Sequence, residues 1–164
     1  MKTRITLPGV AALCIGVGLF ALGIHKLLDF ESFIGAVRLQ SLVSAEYLGI
    51  AAASFVTLEA ACGIAAIVLV VIDRVRAGLI ICASVVLTTA FYSTALAFRP
   101  PPKPAPCGCG FSSLNVKDWR PHAAALWVTC GVLLGLSALA RKQGPTPIGG
   151  SAVATDDKAA EPAI

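Results

Sequence analysis

The sequence predicts an all-α integral membrane protein, a four-helix bundle with an amphipathic surface segment after the first helix. Three observations carry that prediction. Apolar residues make up 57% of the 164-residue chain and charged residues 13%, about half the charged share of a soluble domain. Mean hydropathy is +0.83. Four stretches are each long and apolar enough to cross roughly 30 Å of hydrocarbon. So little charge cannot coat a water-soluble domain, which excludes an ordinary soluble enzyme and a mostly disordered chain. The net charge of +4 is scattered rather than gathered into a stripe, so no nucleic-acid partner is expected.

The first span runs from Leu7 to Ile24. Lys2 and Arg4 precede it, as they would a signal peptide. No small-x-small cleavage site follows, and Leu13 stands where a lipoprotein signal wants a small residue before Cys14. It reads as a retained helix, rich in small residues such as Gly16, Gly18 and Gly23. The second span, Leu48 to Ile72, is interrupted only by Glu59. The third runs from about Val75 to Phe98, with Arg76 at its edge, and the fourth from about His122 to Ala140. Their β-branched residues are no objection, because in lipid a helix is the single segment that satisfies its own backbone. Gly131 and Gly135 stand at the GxxxG spacing that allows close helix contact.

Between the first two spans, Phe30, Phe33, Ile34 and Val37 fall at helical spacing, while Asp29, Glu31 and Arg38 take other positions. This segment, Leu27 to Val43, is too short and too charged to span. It reads as an amphipathic helix at the outer membrane surface, or as a cap on the bundle. Residues 1–142 therefore form one membrane domain. Residues 143–164 open with Pro and Gly, have nothing to bury, and read as a disordered cytoplasmic tail.

Four spans put both termini on one side. Lys2, Arg4, Arg74, Arg76, Arg141 and Lys142 crowd the helix ends there. Six basic residues on the other side are spread over two loops of roughly twenty residues. The positive-inside rule then favours cytoplasmic termini in the inner (plasma) membrane. Tyr47, Phe98 and Trp119 read as the outer aromatic belt.

The six cysteines fall into two groups. Cys14, Cys62, Cys82 and Cys130 lie within spans and read as small apolar filler. Cys107 and Cys109 stand together as Pro106-Cys107-Gly108-Cys109-Gly110 in the second outer loop, behind a proline-rich run. Cys130 lies roughly 12 Å below the outer end of its helix at about 1.5 Å per residue, and the other three lie deeper. Disulfide geometry needs Cα atoms within about 7 Å, so the loop pair bonds to itself or to a partner. Three readings are open: a strained, exchange-competent disulfide, half of a metal site completed by His25 or His122, or a disulfide that pins the loop.

Glu59 is about 16 Å from the outer end of its helix, near the bilayer midplane. An ionised acid there costs on the order of 3 kcal/mol, so it is protonated or paired within the bundle. It is either a proton relay or quinone-side acid, or a tie to hydroxyls such as Ser54, Thr57, Ser84 or Thr88. Lys26 and His25 close the first span. They are snorkelling anchors, or cations that lower a thiol pKa at Cys107 or Cys109. His122, at the N-terminus of the fourth span, is placed for the same part.

Three motifs add a resemblance. Phe20-x-x-Gly23-x-x-Lys26-Leu27 is followed by Asp29 and Phe33. Leu58-Glu59 and Gly63 fall in the second span, and Cys107-Gly108-Cys109-Gly110-Phe111 between the third and fourth. On these motifs the chain resembles the MauE/DoxX-like family of redox-associated membrane proteins, from about Leu7 to Leu139. The family often reads Cys-Gly-Cys-Phe-Gly, and here Gly110 precedes Phe111. The resemblance implies a four-helix membrane protein of disulfide metabolism, acting in maturation of a periplasmic enzyme such as methylamine dehydrogenase. For DoxX-like relatives it implies quinone-coupled oxidation.

The combined reading places a Cys107/Cys109 pair outside the membrane, exchanging electrons with an extracytoplasmic thiol or disulfide protein, either thioredoxin-like or a substrate. Lys26, His25 or His122 supply a positive field and Glu59 handles a proton if a quinone, the one cofactor considered, reoxidises the pair. That would make the protein a thiol-disulfide or quinone-linked oxidoreductase. The rival is a non-catalytic assembly or transport factor whose loop disulfide only shapes a docking surface.

Overall fold

The computed structural model describes residues 6–106 and 115–142. The elements are α1 (Leu7–Leu28), α2 (Phe30–Gln40), α3 (Leu48–Val71), α4 (Val75–Phe98) and α5 (Arg120–Lys142), with two-residue strands β1 (Ala105–Pro106) and β2 (Asn115–Val116) before α5. Among the described residues α1, α3, α4 and α5 are long and apolar enough to cross a membrane. The expectations for Lys2, Arg4, Cys107, Cys109 and the 143–164 tail fall outside the described residues.

Local chemistry fixes the ends of α1. The hydroxyl of Thr6 accepts from the Gly9 N–H at 3.3 Å. Pro8 sits in the first turn, where a missing N–H removes no helical bond. The helix runs four residues past Ile24, with His25 and Lys26 in its last turn. Cations there oppose the negative end of the helix dipole. The short α3–α4 turn is closed by Asp73 in the left-handed region, φ 61°.

Antiparallel pairs build the bundle. On α1, Gly16 lies against Gly63 and Ala66 of α3, and Gly23 lies against Ala60. Across the α4–α5 seam, the Cys130 thiol donates to the Ala83 carbonyl at 3.7 Å. Nearer the start of α5 in the same seam, Phe91 meets Trp127 edge-on at 5.0 Å. Leu79, Cys82, Val85 and Val86 of α4 join Ala12 and Leu19 of α1, Ala66 of α3, and Cys130 and Leu133 of α5 in one core. Gly131 and Gly135 do not mediate this packing, because a Cβ at either would meet nothing within 4 Å. Their spacing places them on an outward face of α5.

The outer face is apolar. Val17, Ile50, Leu58, Ile64, Val68, Phe91, Val128 and Val132 are all exposed, a surface suited to lipid tails rather than to water. Hydroxyls on the spans bond inside their own helices: Thr88 donates to the Ser84 carbonyl, Thr89 to Val85, Thr94 to Ala90 and Thr129 to Ala125. That satisfies each group without water.

The α1–α3 register creates a step. With Gly23 at Ala60 and Lys26 at Glu59, the end of α1 comes level with Phe55 and Val56. It stops about eight residues, or roughly 12 Å at 1.5 Å per residue, short of the start of α3. The amphipathic segment fills the step. Phe33 and Val37 of α2 pack on Leu48, Ala52 and Val56, and Phe33 stacks on Phe55 at 6.3 Å. Asp29, Glu31 and Arg38 remain exposed. Its helical period was legible, and its place is as a cap on the short end of α1.

Candidate functional site

The step buries a charge pair. Lys26 Nζ lies 2.6 Å from Glu59 Oε2. The two residues are only 4% and 5% exposed. The ammonium also faces the Phe33 ring at 5.4 Å and the Phe55 ring at 5.0 Å, where the negative faces of the rings favour a cation. This corrects the expectation for Lys26. It does not snorkel, because α1 ends below the level of α3 and turns its last lysine inward. It also corrects the partner expected for Glu59. Ser84 and Thr88 bond to backbone carbonyls of α4, and the carboxylate is tied to Lys26.

Above the pair lies a cavity of about 230 Å³. Lys26, Phe33, Gln40, Ala52, Phe55, Thr89, Tyr92, Ser93, Trp119 and His122 are among its walls. Gln40 is 2% exposed and works in two directions. Its Nε2 donates to the Pro106 carbonyl at 2.8 Å, and the Tyr92 hydroxyl donates to its Oε1 at 2.6 Å. Pro106 pairs with Asn115 in the β1–β2 ladder. One buried amide thus ties α2, α4 and the base of the second outer loop together, at the cavity wall.

The sequence-predicted residues separate here. Lys26, Glu59 and His122 gather in this region: Lys26 and His122 line the cavity, and Glu59 holds Lys26. His25 does not join them. It is exposed, one residue from Lys26 and so about 100° round the helix. Trp119 is not in an aromatic belt. It is 2% exposed, lines the cavity, and meets His122 edge-on at 5.7 Å. Tyr47 and Phe98 are exposed, as belt residues are. Cys82 and Cys130 are buried, Cys62 is half-buried and Cys14 is exposed, all four as free thiols. Cys14 is therefore a lipid-facing residue and not core filler. Among the described residues no three His, Cys, Asp or Glu side chains assemble into a metal-binding group.

Gln40, Tyr92 and Ser93 were missed. Gln40 carries a readable signal, since it falls seven residues after Phe33 on the apolar stripe of α2. A polar residue on a buried stripe needs a partner. Replacing it by leucine removes the hydrogen bonds of both Tyr92 and Pro106, at about 1–3 kcal/mol. Limited proteolysis of Gln40→Leu in detergent should cut within 99–119 several-fold faster than in the parent. Equal cleavage rates would show that the amide does not hold the loop base.

A family model described as "Methylamine utilisation protein MauE" matches residues 4–141. No curated protein and no solved structure matches.

Proposed function

The chain belongs to the MauE family of methylamine utilisation proteins, and from that premise we propose that it is a membrane-held thiol-disulfide exchange protein serving an extracytoplasmic partner. It is a multi-pass membrane protein, linked through its family to methylamine utilisation. In this reading the membrane is the inner (plasma) membrane and the termini are cytoplasmic, because basic residues crowd those helix ends. The 99–119 loop then lies in an oxidising compartment, where paired thiols form disulfides.

The hydrogen bond from Gln40 to the Pro106 carbonyl is the observation that supports the reading best. Cys107 is the next residue in the chain, so the thiol pair starts from a fixed point at the wall of a cavity that also holds His122. The exchange is balanced within the two proteins. A partner thiolate attacks one sulfur of the Cys107–Cys109 disulfide, that S–S bond breaks, and a mixed disulfide forms. The partner's second thiolate displaces the loop cysteine. The partner leaves with a disulfide and the loop keeps two thiols, having gained two electrons and two protons. A ring as small as Cys-Gly-Cys is strained, which favours this direction. The positive field at the thiols we assign to the N-terminus of α5, where His122 lines the cavity. The charge of Lys26 is already matched by Glu59.

Two measurements test this. In a chain with Cys14, Cys62, Cys82 and Cys130 replaced by alanine, a membrane-impermeant maleimide should label Cys107 and Cys109 from outside intact cells after reduction. Labelling only after lysis overturns the orientation. Single Cys107→Ser and Cys109→Ser variants should then differ. The trap runs the same exchange in reverse: the remaining loop thiolate attacks the disulfide of an oxidised partner, and without its neighbour the loop has no second thiol to displace that partner. One variant should accumulate a reducible higher-mass adduct in cells. Absence of an adduct from both variants would leave the loop disulfide a purely structural one.

A further inference from the structure

We propose that the cavity is a lipid site. It takes one acyl ester of a glycerolipid from the leaflet beside the 99–119 loop, with the ester carbonyl on the indole N–H of Trp119 and the acyl chain running down toward Lys26. The proposal goes beyond the exchange reading and uses neither Cys107 nor Cys109. Trp119 is almost wholly enclosed and lines the cavity, yet its Nε1 has no hydrogen-bond partner among the described residues. A buried indole N–H is normally paired, and it is a donor only. The missing group is therefore an acceptor. The Lys26 ammonium on the cavity is matched by Glu59 at 2.6 Å and is not free to hold an anion, so the acceptor is a neutral one.

The level of the donor and the depth of the cavity narrow that acceptor to a lipid ester. Lys117, Asp118 and Arg120, beside Trp119, are exposed, and charged residues at the start of a span lie among the head groups. The indole is thus turned inward at the boundary of the hydrocarbon, the level at which a bilayer holds its glycerol ester carbonyls. From there the cavity descends. Measured from the outer ends of α3 and α4 at about 1.5 Å per residue, its walls include Ala52 roughly 6 Å deep, Tyr92 roughly 9 Å and Thr89 roughly 14 Å. Phe33, Val37 and Phe55 make this lower part apolar. Its hydroxyls are engaged with the protein, since Tyr92 donates to Gln40 and Thr89 to the Val85 carbonyl. A carbonyl above a methylene chain matches that order, a donor at the top and an apolar wall beneath. A volume of about 230 Å³ is below the ~300–1,000 Å³ of drug-sized pockets. It holds one ester and the upper part of its chain, and leaves the head group and the second chain in the bilayer. The way in runs along α3 and α4. Ala51, Phe55 and Tyr92 are half-buried, and Ile50 and Phe91 beside them are exposed on the lipid-facing surface.

The chain has two tryptophans, which makes Trp119 its own reporter once Trp127 is replaced by phenylalanine. The full chain carrying Trp127→Phe, in dodecyl maltoside, is titrated with a phosphatidylcholine brominated near the top of one acyl chain. Bromine in contact quenches an indole, so at least half of the Trp119 emission should be lost along a saturating curve. Unbrominated diester phosphatidylcholine should restore the emission. The diether with the same chains and head group lacks only the carbonyls and should compete several-fold less well. That comparison needs no change in the site. Ala52→Phe projects a ring into the cavity from α3 and should weaken binding at least tenfold. Trp119→Phe keeps an aromatic wall and removes the N–H. With bound lipid counted by native mass spectrometry, it should retain the diester several-fold less and no longer prefer it to the diether. Cys107→Ser/Cys109→Ser should leave the curve unchanged, so failure of the exchange reading is separable from failure of this one. Quenching that rises linearly without saturation, equal competition by diester and diether, or lipid held as well by a folded Trp119→Phe as by the parent overturns the proposal. Stronger displacement by oleate than by the diester overturns the neutral acceptor in favour of an anion.

Discussion

Replacing Lys26 by methionine should destabilise the bundle by about 3–5 kcal/mol, the range for stripping the partner from a buried charge. Glu59 would be left about 16 Å inside α3 without the ammonium that pairs it, facing the region of the Phe33 and Phe55 rings. Glu59→Leu should cost less than Lys26→Met. Its orphaned ammonium keeps both ring faces, at 5.4 and 5.0 Å, and a cation on a desolvated ring gains up to about 2 kcal/mol. The double variant Lys26→Met/Glu59→Leu should return to within about 1 kcal/mol of the parent, because an apolar pair of similar volume often replaces a buried ion pair without loss. Thermal unfolding of the four proteins in one detergent gives the cycle. Additive single effects would show that the pair is not an energetic unit. If the double variant regains stability but not activity in cells, the charges act in function rather than in folding.

The four spans were legible because lipid imposes one strong requirement, an unbroken apolar run of helical length. The third span was read as about Val75 to Phe98, the bounds of α4, and no end of the other three spans moved by more than four residues. The place of α2 was harder to see. Its period of Phe30, Phe33, Ile34 and Val37 identifies a helix in either setting, and nothing local distinguishes a helix on the bilayer surface from one seated in the bundle. That choice depends on how far α1 slides along α3, which is set by contacts between residues more than thirty apart in sequence. The same slide explains Lys26. From the sequence it ends a span and belongs at the head groups. In the fold, α1 stops short, and that level is the level of Glu59.

Trp119 was misplaced for a related reason. Tryptophan before a span usually marks the interface, and only the packing of α2 over the step shows that this one is enclosed. The candidate site was therefore half legible. Glu59 stood out because a charge inside a span needs a partner, and His122 and Lys26 were named for a cationic role. The cavity was not legible at all, since its walls come from α1, α2, α3, α4 and α5 together. Cys107 and Cys109 stood out in the sequence, and the structure adds the anchor at Pro106 from which they start.

Gly63→Ala should be the most damaging glycine-to-alanine change among the described residues, at about 1–3 kcal/mol or more. A Cβ at Gly63 would lie 2.5 Å from the Phe20 backbone nitrogen and 2.8 Å from the Gly16 carbonyl oxygen. Both are backbone atoms of a helix and cannot turn aside as a side chain would, so α1 must move as a unit. The movement reaches the site, because Gly63 is one turn from Glu59 and Phe20 is under two turns from Lys26. The 2.6 Å ion pair should lengthen, and the effect of Gly63→Ala should be smaller in the Lys26→Met/Glu59→Leu background than in the parent. Gly131→Ala and Gly135→Ala are the controls. Their added methyl groups meet nothing within 4 Å, and alanine gains up to about 1 kcal/mol over glycine in a helix interior. Both should unfold at or above the parent temperature in the same detergent. Equal stability of Gly63→Ala and Gly135→Ala would mean that α1 and α3 do not approach backbone to backbone. The step, the inward lysine and the cavity above it would then lose the contact that sets their register.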